Sequence, residues 1–80
     1  MSKTLSRVPR VMARLGLSRS TTYSQIADGL LPPPVRIGPR CVAIPDDEID
    51  SVVSARIAGQ DDDQIRDLVT KLVEARRSAV

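Results

Sequence analysis

Three stretches of the chain repeat apolar residues at the three- and four-residue spacing of an amphipathic helix. Their apolar positions are Val8, Val11, Met12 and Leu15; Ile49, Val52, Val53 and Ile57; and Ile65, Leu68, Val69, Leu72 and Val73. Ser6 is suited to cap the first helix, Asp46 or Asp47 the second of these stretches, and Asp61 to Asp63 the last. The pattern therefore predicts helices that each bury one stripe.

A further helix follows the first one after a very short turn. Gly16 is expected to end the first helix, and Ser18 is a good N-cap for a helix that runs from about Arg19 to Asp28. Two helices joined so closely must cross steeply. The spacing therefore predicts a helix-turn-helix.

The helix at 19–28 has two faces of different chemistry. By helical phase we expect Thr22, Tyr23 and Ile26 on the inner face, where Tyr23 would supply the only aromatic ring of the chain. The polar side chains of the outer face are Ser20, Thr21, Ser24, Gln25 and Asp28. Such a face can enter a DNA groove and hydrogen-bond to base edges or phosphates, and an ordinary solvated helix face has the same pattern.

The next segment predicts an extended link and a β-hairpin. The proline-rich residues 31–34 cannot be helical, because proline fixes φ and lacks an N–H. Residues 35–37 and 40–44 predict two strands, and Gly38 with Pro39 predicts a type II′ turn between them. Such a hairpin is either the wing of a DNA-binding domain or a cap over the core.

Positive charge is concentrated in the first half of the chain. Residues 1–40 hold seven basic residues and one acidic residue, a net charge of +6, whereas residues 41–80 hold five basic and nine acidic residues, a net charge of −4. Arg36 and Arg40 add cations at the predicted hairpin. A basic half of this kind is typical of a surface that meets a polyanion, although solvated arginines produce the same count.

Composition excludes several kinds of chemistry. The chain has no histidine and one cysteine, Cys41, which rules out Ser-His-Asp and Cys-His catalysis and zinc sites that need two or more such ligands. We interpret the acidic clusters at 46–50 and 61–63 as helix caps rather than metal sites. No apolar run approaches the ~18 residues of a membrane span, and a lone cysteine favours a reducing, cytoplasmic setting. We therefore expect no enzymatic activity, no cofactor, no metal and no membrane partner.

Two strings within this order of elements form a fairly specific motif. Residues 16–23 read G-L-S-R-S-T-T-Y, and residues 29–40 read G-L-L-P-P-P-V-R-I-G-P-R. Over about residues 5–57, the chain resembles the AlpA-like and excisionase-like winged helix-turn-helix proteins, small relatives of the MerR DNA-binding headpiece. Smaller apolar residues stand at Leu31, Ile44 and Val52, where those proteins often carry aromatic rings.

The expected fold is mainly α with a small β-hairpin. It comprises a winged helix-turn-helix headpiece at 1–58 and an additional C-terminal amphipathic helix at 61–77. An isolated helix of this length is unstable in water, so its stripe must pack on its own domain or on a second copy. We favour a homodimer through residues 61–77, because the predicted headpiece is already complete without them.

The resemblance implies a sequence-specific DNA-binding transcriptional regulator of the AlpA type, acting on phage or mobile-element genes. An excisionase that bends DNA for an integrase, in other words a recombination directionality factor, shares the same chemistry. A protein-interaction module that uses the C-terminal helix is the alternative from another class. The expected partners are double-stranded DNA, a second copy, and either an integrase or RNA polymerase.

The resemblance also assigns residues to the DNA. The recognition-helix residues that it assigns are Arg19, Ser20, Thr21 and Tyr23, and it places Arg36 and Arg40 near phosphates or the minor groove. By helical phase Arg19 lies near Tyr23, so it either braces the fold or reaches a phosphate. With the outer helix face and the N-terminal arginines added, the expected DNA-contacting residues are Arg7, Arg10, Arg14, Arg19, Ser20, Thr21, Ser24, Gln25, Arg36 and Arg40.

Overall fold

The computed structural model describes residues 4–78, with side chains up to residue 76; the side chains of Lys3 and Arg77, which enter the charge counts, lie outside it. The elements are β1 (Leu5–Arg7), α1 (Val8–Leu15), α2 (Arg19–Ala27), β2 (Val35–Gly38), β3 (Cys41–Pro45), α3 (Asp46–Ile57) and α4 (Asp62–Ser78). This order confirms the expected mainly α winged helix-turn-helix with an additional C-terminal helix. None of the described helices is long and apolar enough to cross a membrane.

The turn between α1 and α2 forms as the sequence predicts. Gly16 adopts a left-handed conformation with φ of 67° directly after α1. The Ser18 hydroxyl accepts a hydrogen bond from the Thr21 backbone N–H at 3.2 Å, which satisfies one free donor of the first turn of α2. The two helices are therefore separated by only three residues.

The N-terminal strand β1 was not expected from the sequence. Ser6, predicted to cap α1, lies instead in β1, where it pairs with Ile44 of β3 and its hydroxyl donates to an Asp46 carboxylate oxygen. Arg7 takes the N-cap position without a side-chain hydrogen bond. The three strands form an antiparallel sheet in the order β1-β3-β2. The sheet therefore ties the beginning of α1 to the beginning of α3.

The hairpin turn lies one residue later than predicted. Gly38 pairs with Cys41, so the connecting residues are Pro39 and Arg40, and Gly38 lacks the positive φ that a type II′ turn requires. The predicted turn type is therefore wrong. Proline at the first connecting position suits a turn with negative φ, because its ring fixes φ near −65°.

The rotation of α2 differs from the predicted helical phase. Thr22 is completely buried, whereas Tyr23 is 42% exposed, so the expectation that Tyr23 fills the core is wrong. The Thr22 hydroxyl donates to the Ser18 carbonyl at 2.8 Å, which allows a polar residue to be buried without an unpaired group. A similar correction applies to α3, where Ile57 is 81% exposed.

The last helix, α4, packs on the same core as the headpiece. The buried cluster consists of Val11, Leu31, Ile44, Ile49, Val52, Ala55, Ile65 and Val69. Asp61 and Gln64 form a reciprocal pair at the beginning of α4, in which each backbone N–H donates to the other side chain at 3.0 and 2.8 Å. The chain thus covers the α4 stripe itself, and dimerisation through residues 61–77 stays a prediction.

Candidate nucleic-acid interface

The outward surface of α2 consists of short polar side chains and one aromatic ring. Ser20, Thr21, Tyr23 and Ser24 are exposed, because Thr22 holds the opposite side of the helix in the core. The Ser18 hydroxyl donates to the Thr21 hydroxyl oxygen at 2.9 Å, which leaves the Thr21 proton available to an external acceptor. This surface can therefore donate and accept hydrogen bonds without losing any bond that the fold needs.

A groove lies beside this surface, between α1, α2 and the hairpin. Its volume is about 410 Å³, and its lining residues are Arg7, Val8, Pro9, Met12, Arg19, Tyr23, Arg40 and Val42. We call it the arginine groove. Its three cations come from three separate elements: the end of β1, the first turn of α2 and the hairpin turn. Folding thus brings together charges that are distant in the sequence.

Tyr23 and Arg19 contact each other at the edge of the arginine groove. The guanidinium carbon of Arg19 lies 5.9 Å from the centroid of the Tyr23 ring, within the range of a cation–π interaction. The predicted proximity of these two residues is correct, but both are exposed rather than turned inward. Sequence reasoning by helical phase missed Tyr23 as a surface residue, although the resemblance had assigned it to the recognition helix.

The three arginines of the groove have no carboxylate within ion-pair distance among residues 4–76. Within this described range, no acidic side chain lines the groove either. Three positive charges on an acid-free surface create a positive potential that attracts anions. The groove is therefore suited to a negatively charged partner.

Two other arginines of the predicted set are already engaged by the protein. Arg14 forms ion pairs with Asp46, at 3.5 Å, and with Asp50. Arg36 donates to the carbonyl oxygens of Gly38 and Pro39 at 3.3 and 3.1 Å and so supports the hairpin turn. The charge of Arg14 is thus balanced by acidic partners within the fold, whereas Arg36 keeps its charge but is held at the hairpin turn.

Arg10 and Gln25 complete the predicted set and differ in exposure. Arg10 is exposed on α1 and does not line the groove. Gln25 is half-buried and accepts a hydrogen bond from Arg56 at 2.6 Å, so the placement of Gln25 on the outer face is wrong. Arg56 also donates to the Leu30 carbonyl oxygen at 3.0 Å. Burial lowers the pKa of Arg56, and the carboxylate of Asp62 acts in the opposite direction.

The acidic clusters act at helix ends. Pro45, and not Asp46 or Asp47, takes the N-cap position of α3, and no side chain caps it, so that predicted cap is wrong. Asp46 and Asp47 lie in the first turn, where the Asp47 carboxylate accepts a hydrogen bond from the Glu48 backbone N–H at 3.0 Å. Asp61 caps α4 as predicted. Residues 4–78 contain no group of three or more potential ligands arranged to hold a metal ion. The surface with the clearest chemistry is therefore the exposed face of α2 together with the arginine groove.

A family model described as "Prophage CP4-57 regulatory protein (AlpA)" matches residues 4–57. The chain belongs to the AlpA family. This assignment confirms the resemblance seen in the sequence and places the chain in a regulatory family of phage origin. Every residue of the α2 face and of the arginine groove falls within the AlpA match, whereas α4 follows it.

A relative of this AlpA-family chain is found in Enterobacteria phage P4, where it is described as "Uncharacterized protein ORF88". The two are 46% identical over 54 residues, which are 68% of this chain and 61% of the relative. The aligned region therefore spans less than two thirds of the relative's own length. No solved structure matches the chain.

Proposed function

We propose that this AlpA-family protein is a sequence-specific transcription regulator that binds double-stranded DNA of phage or mobile-element genes. One observation carries the proposal: the exposed hydroxyl face of α2 adjoins a groove in which three arginines lack acidic partners among the described residues. Phosphate contacts position a protein on DNA, and contacts to base edges select the sequence. The arginine groove would supply the phosphate contacts, and the adjoining face of α2 would supply the contacts to base edges.

In this arrangement α2 enters the major groove and presents Ser20, Thr21 and Ser24 to the base edges. Hydroxyl side chains can bond to several bases, whereas an arginine or an amide prefers one. Arg40, in the hairpin turn, would lie along the phosphate backbone beside the helix. Because Gln25 is engaged by Arg56, we assign the base contacts to the three hydroxyl residues and not to Gln25.

Thr21→Ala tests the role of α2. A binding site is first selected from a random duplex pool with the parent protein, and affinities for that site and for random DNA are then measured by fluorescence anisotropy. We expect the variant to lose about 1–3 kcal/mol of discrimination between the two DNAs, as is typical for one lost base contact. Thermal melting should stay close to that of the parent, since Thr21 is exposed.

Thr70→Ala is the matched control, because Thr70 is an exposed helical threonine on α4. It should bind the selected site and random DNA as the parent does. Equal discrimination by the parent and Thr21→Ala would remove Thr21 from the base contacts. A parent protein that selects no site from the pool would overturn sequence-specific regulation.

The excisionase role uses the same surface, so a different measurement separates it from regulation. Energy transfer between dyes at the two ends of a DNA duplex reports bending on binding. A strong bend together with a requirement for this protein in an integrase reaction would assign the protein to recombination. Promoter-dependent changes in transcription without such a requirement would support the regulator and RNA polymerase as its partner.

The protein-interaction module has less support from the fold. Its binding surface would be the apolar stripe of α4, but Ile65 and Val69 are buried in the core of the chain itself. Leu68, Leu72 and Val73 are partly buried against the same core. The described structure thus leaves little of this stripe for a partner.

A further inference from the structure

We propose that the arginine groove binds one sugar-phosphate segment of the DNA backbone. The guanidinium groups of Arg7, Arg19 and Arg40 would surround the phosphate, and the Tyr23 ring with the apolar floor would contact the deoxyribose. This inference rests on the proposed DNA-binding function and names the atoms of the DNA that this part of the surface recognises.

The charge of the groove is the first argument for a bound phosphate. Three guanidinium groups line one groove, and no carboxylate among the described residues neutralises them. Cations brought together in this way repel one another, and an anion between them relieves the repulsion. Arginine also binds phosphate through two parallel N–H···O bonds, which makes a phosphodiester a better fit than a diffuse cloud of counterions.

The apolar part of the groove lining is the second argument, for a bound sugar. Val8, Pro9, Met12 and Val42 contribute to the same groove as the arginines. A volume of about 410 Å³ lies within the range of ligand pockets, about 300–1,000 Å³. Inorganic phosphate would leave the apolar floor in water, whereas the C–H groups of a deoxyribose would cover it.

The position of Tyr23 is the third argument, for a strand of DNA beside α2. Its ring belongs both to the exposed face of α2 and to the wall of the groove. A DNA strand held in the groove would therefore run beside the helix that presents Ser20 and Ser24. The tyrosine hydroxyl can donate to a phosphate oxygen, while Arg19 orients the ring from its face.

Salt titration of random duplex DNA tests the arginines, since random DNA reports phosphate contacts without base reading. In B-DNA, each phosphate neutralised contributes about −0.9 to the slope of log affinity against log salt. Because the three arginines would surround one phosphate, we expect Arg7→Ala, Arg19→Ala and Arg40→Ala each to lower the steepness of this slope by no more than about 0.9. The triple variant should lower it by about 0.9 and not by three times that value. Tyr23→Ala should weaken binding with a smaller change of slope, and Tyr23→Phe should retain part of the affinity.

Lys71→Ala is the matched control, since it also removes one positive charge. Lys71 is exposed on α4, and none of the α4 side chains that the structure describes lines the arginine groove. Its slope should equal that of the parent. Thermal melts of all variants identify any loss of affinity that comes from unfolding.

A duplex with one neutral methylphosphonate linkage locates the contact. At the position where the neutral linkage weakens the parent most, it should weaken Arg40→Ala less, because that variant has already lost one of the three guanidinium groups that face this phosphate. One outcome separates the two proposals. If the parent binds DNA and the groove variants have the same salt slope as the parent, the groove proposal is overturned and the proposed function stands. If the parent binds no DNA at low salt, the proposed function falls first.

A free deoxynucleoside monophosphate distinguishes the DNA backbone from a small ligand. At millimolar concentration it should displace little DNA, because a single phosphate lacks the neighbouring contacts of a duplex. Displacement at micromolar concentration that disappears in Arg40→Ala would overturn the backbone assignment. The groove would then be a nucleotide site.

Discussion

Arginines in two regions of this protein have different surroundings. Those of the arginine groove are exposed and lack acidic partners among the described residues. Three others, which we call the brace arginines, are Arg56, Arg66 and Arg76. They bond to the end of α2 and the proline-rich link, whereas the groove arginines are free to meet a ligand. A charge count along the sequence treats both sets alike.

The brace arginines fasten one short segment of the chain to α3 and α4. Arg66 donates to the carbonyl oxygen of Asp28 at 3.0 Å, and Arg76 donates to that of Pro33 at 2.8 Å. Arg76 also forms two hydrogen bonds to the buried carboxylate of Glu48, at 2.8 and 2.5 Å. The carbonyl group of the α2 C-cap and one of the proline-rich link thus find donors on α4.

Among the arginine variants, the largest effect on stability is expected from Arg76→Ala, which leaves the buried Glu48 without its partner. Removal of one member of a buried ion pair costs about 3–5 kcal/mol, and we expect the lower end, about 3 kcal/mol, because Arg76 is partly exposed. Urea unfolding followed by circular dichroism measures the loss. Lys71→Ala breaks an exposed pair and should cost less than about 1 kcal/mol.

A double variant keeps this test informative. Arg76→Met with Glu48→Leu removes both charges and should recover much of the stability lost in Arg76→Ala. If Arg76→Ala unfolds at the same urea concentration as the parent, Arg76 is not a brace in solution. The brace arginines would then not differ from the groove arginines in their contribution to stability.

Tyr23→Ala probes the groove side and should cost little stability. An exposed substitution usually changes the free energy of unfolding within about 0.5 kcal/mol, whereas Ile49→Ala, at a fully buried position, should cost about 2–5 kcal/mol. Thermal melts of the two variants provide the comparison. A Tyr23→Ala protein as unstable as Ile49→Ala would place the ring in the core and remove it from the groove.

Arg14→Ala is expected to have the smallest effect on DNA binding. Arg14 belongs to the basic half of the chain but is engaged by Asp46 and Asp50. We therefore expect the salt slope with random DNA to change by much less than the ~0.9 of one phosphate contact. A change as large as that of Arg40→Ala would show that acidic partners do not decide which arginines meet DNA.

Much of the fold could be predicted from local signals. Gly16 and Ser18 end and begin helices through bonds to their immediate neighbours, so the sequence around them contains the whole signal. The strand β1 has no such signal, because three residues show no periodicity and Ser6 is held by partners about forty positions away. Ile57 is likewise exposed although its spacing continues the apolar stripe of α3.

The candidate site was harder to predict, because it depends on the rotation of one helix. Thr22 and Tyr23 are adjacent, and hydrophobicity favours the ring as the buried one. The Ser18 carbonyl decides otherwise, since it accepts the Thr22 hydroxyl and makes burial of threonine inexpensive. Gln25 was misplaced for a related reason: its partner Arg56 is remote in the sequence.

The late position of α4 has a consequence for synthesis of the protein. The chain leaves the ribosome from its N-terminus, so α1, α2 and the hairpin emerge before Ile65 and Val69 can complete the core. Arg76 reaches Glu48 later still. Until then the part of the core that α4 covers lacks Ile65 and Val69. The elements that carry the α2 face and the arginine groove are therefore made early, whereas the core that they share with α4 is complete only when α4 has emerged.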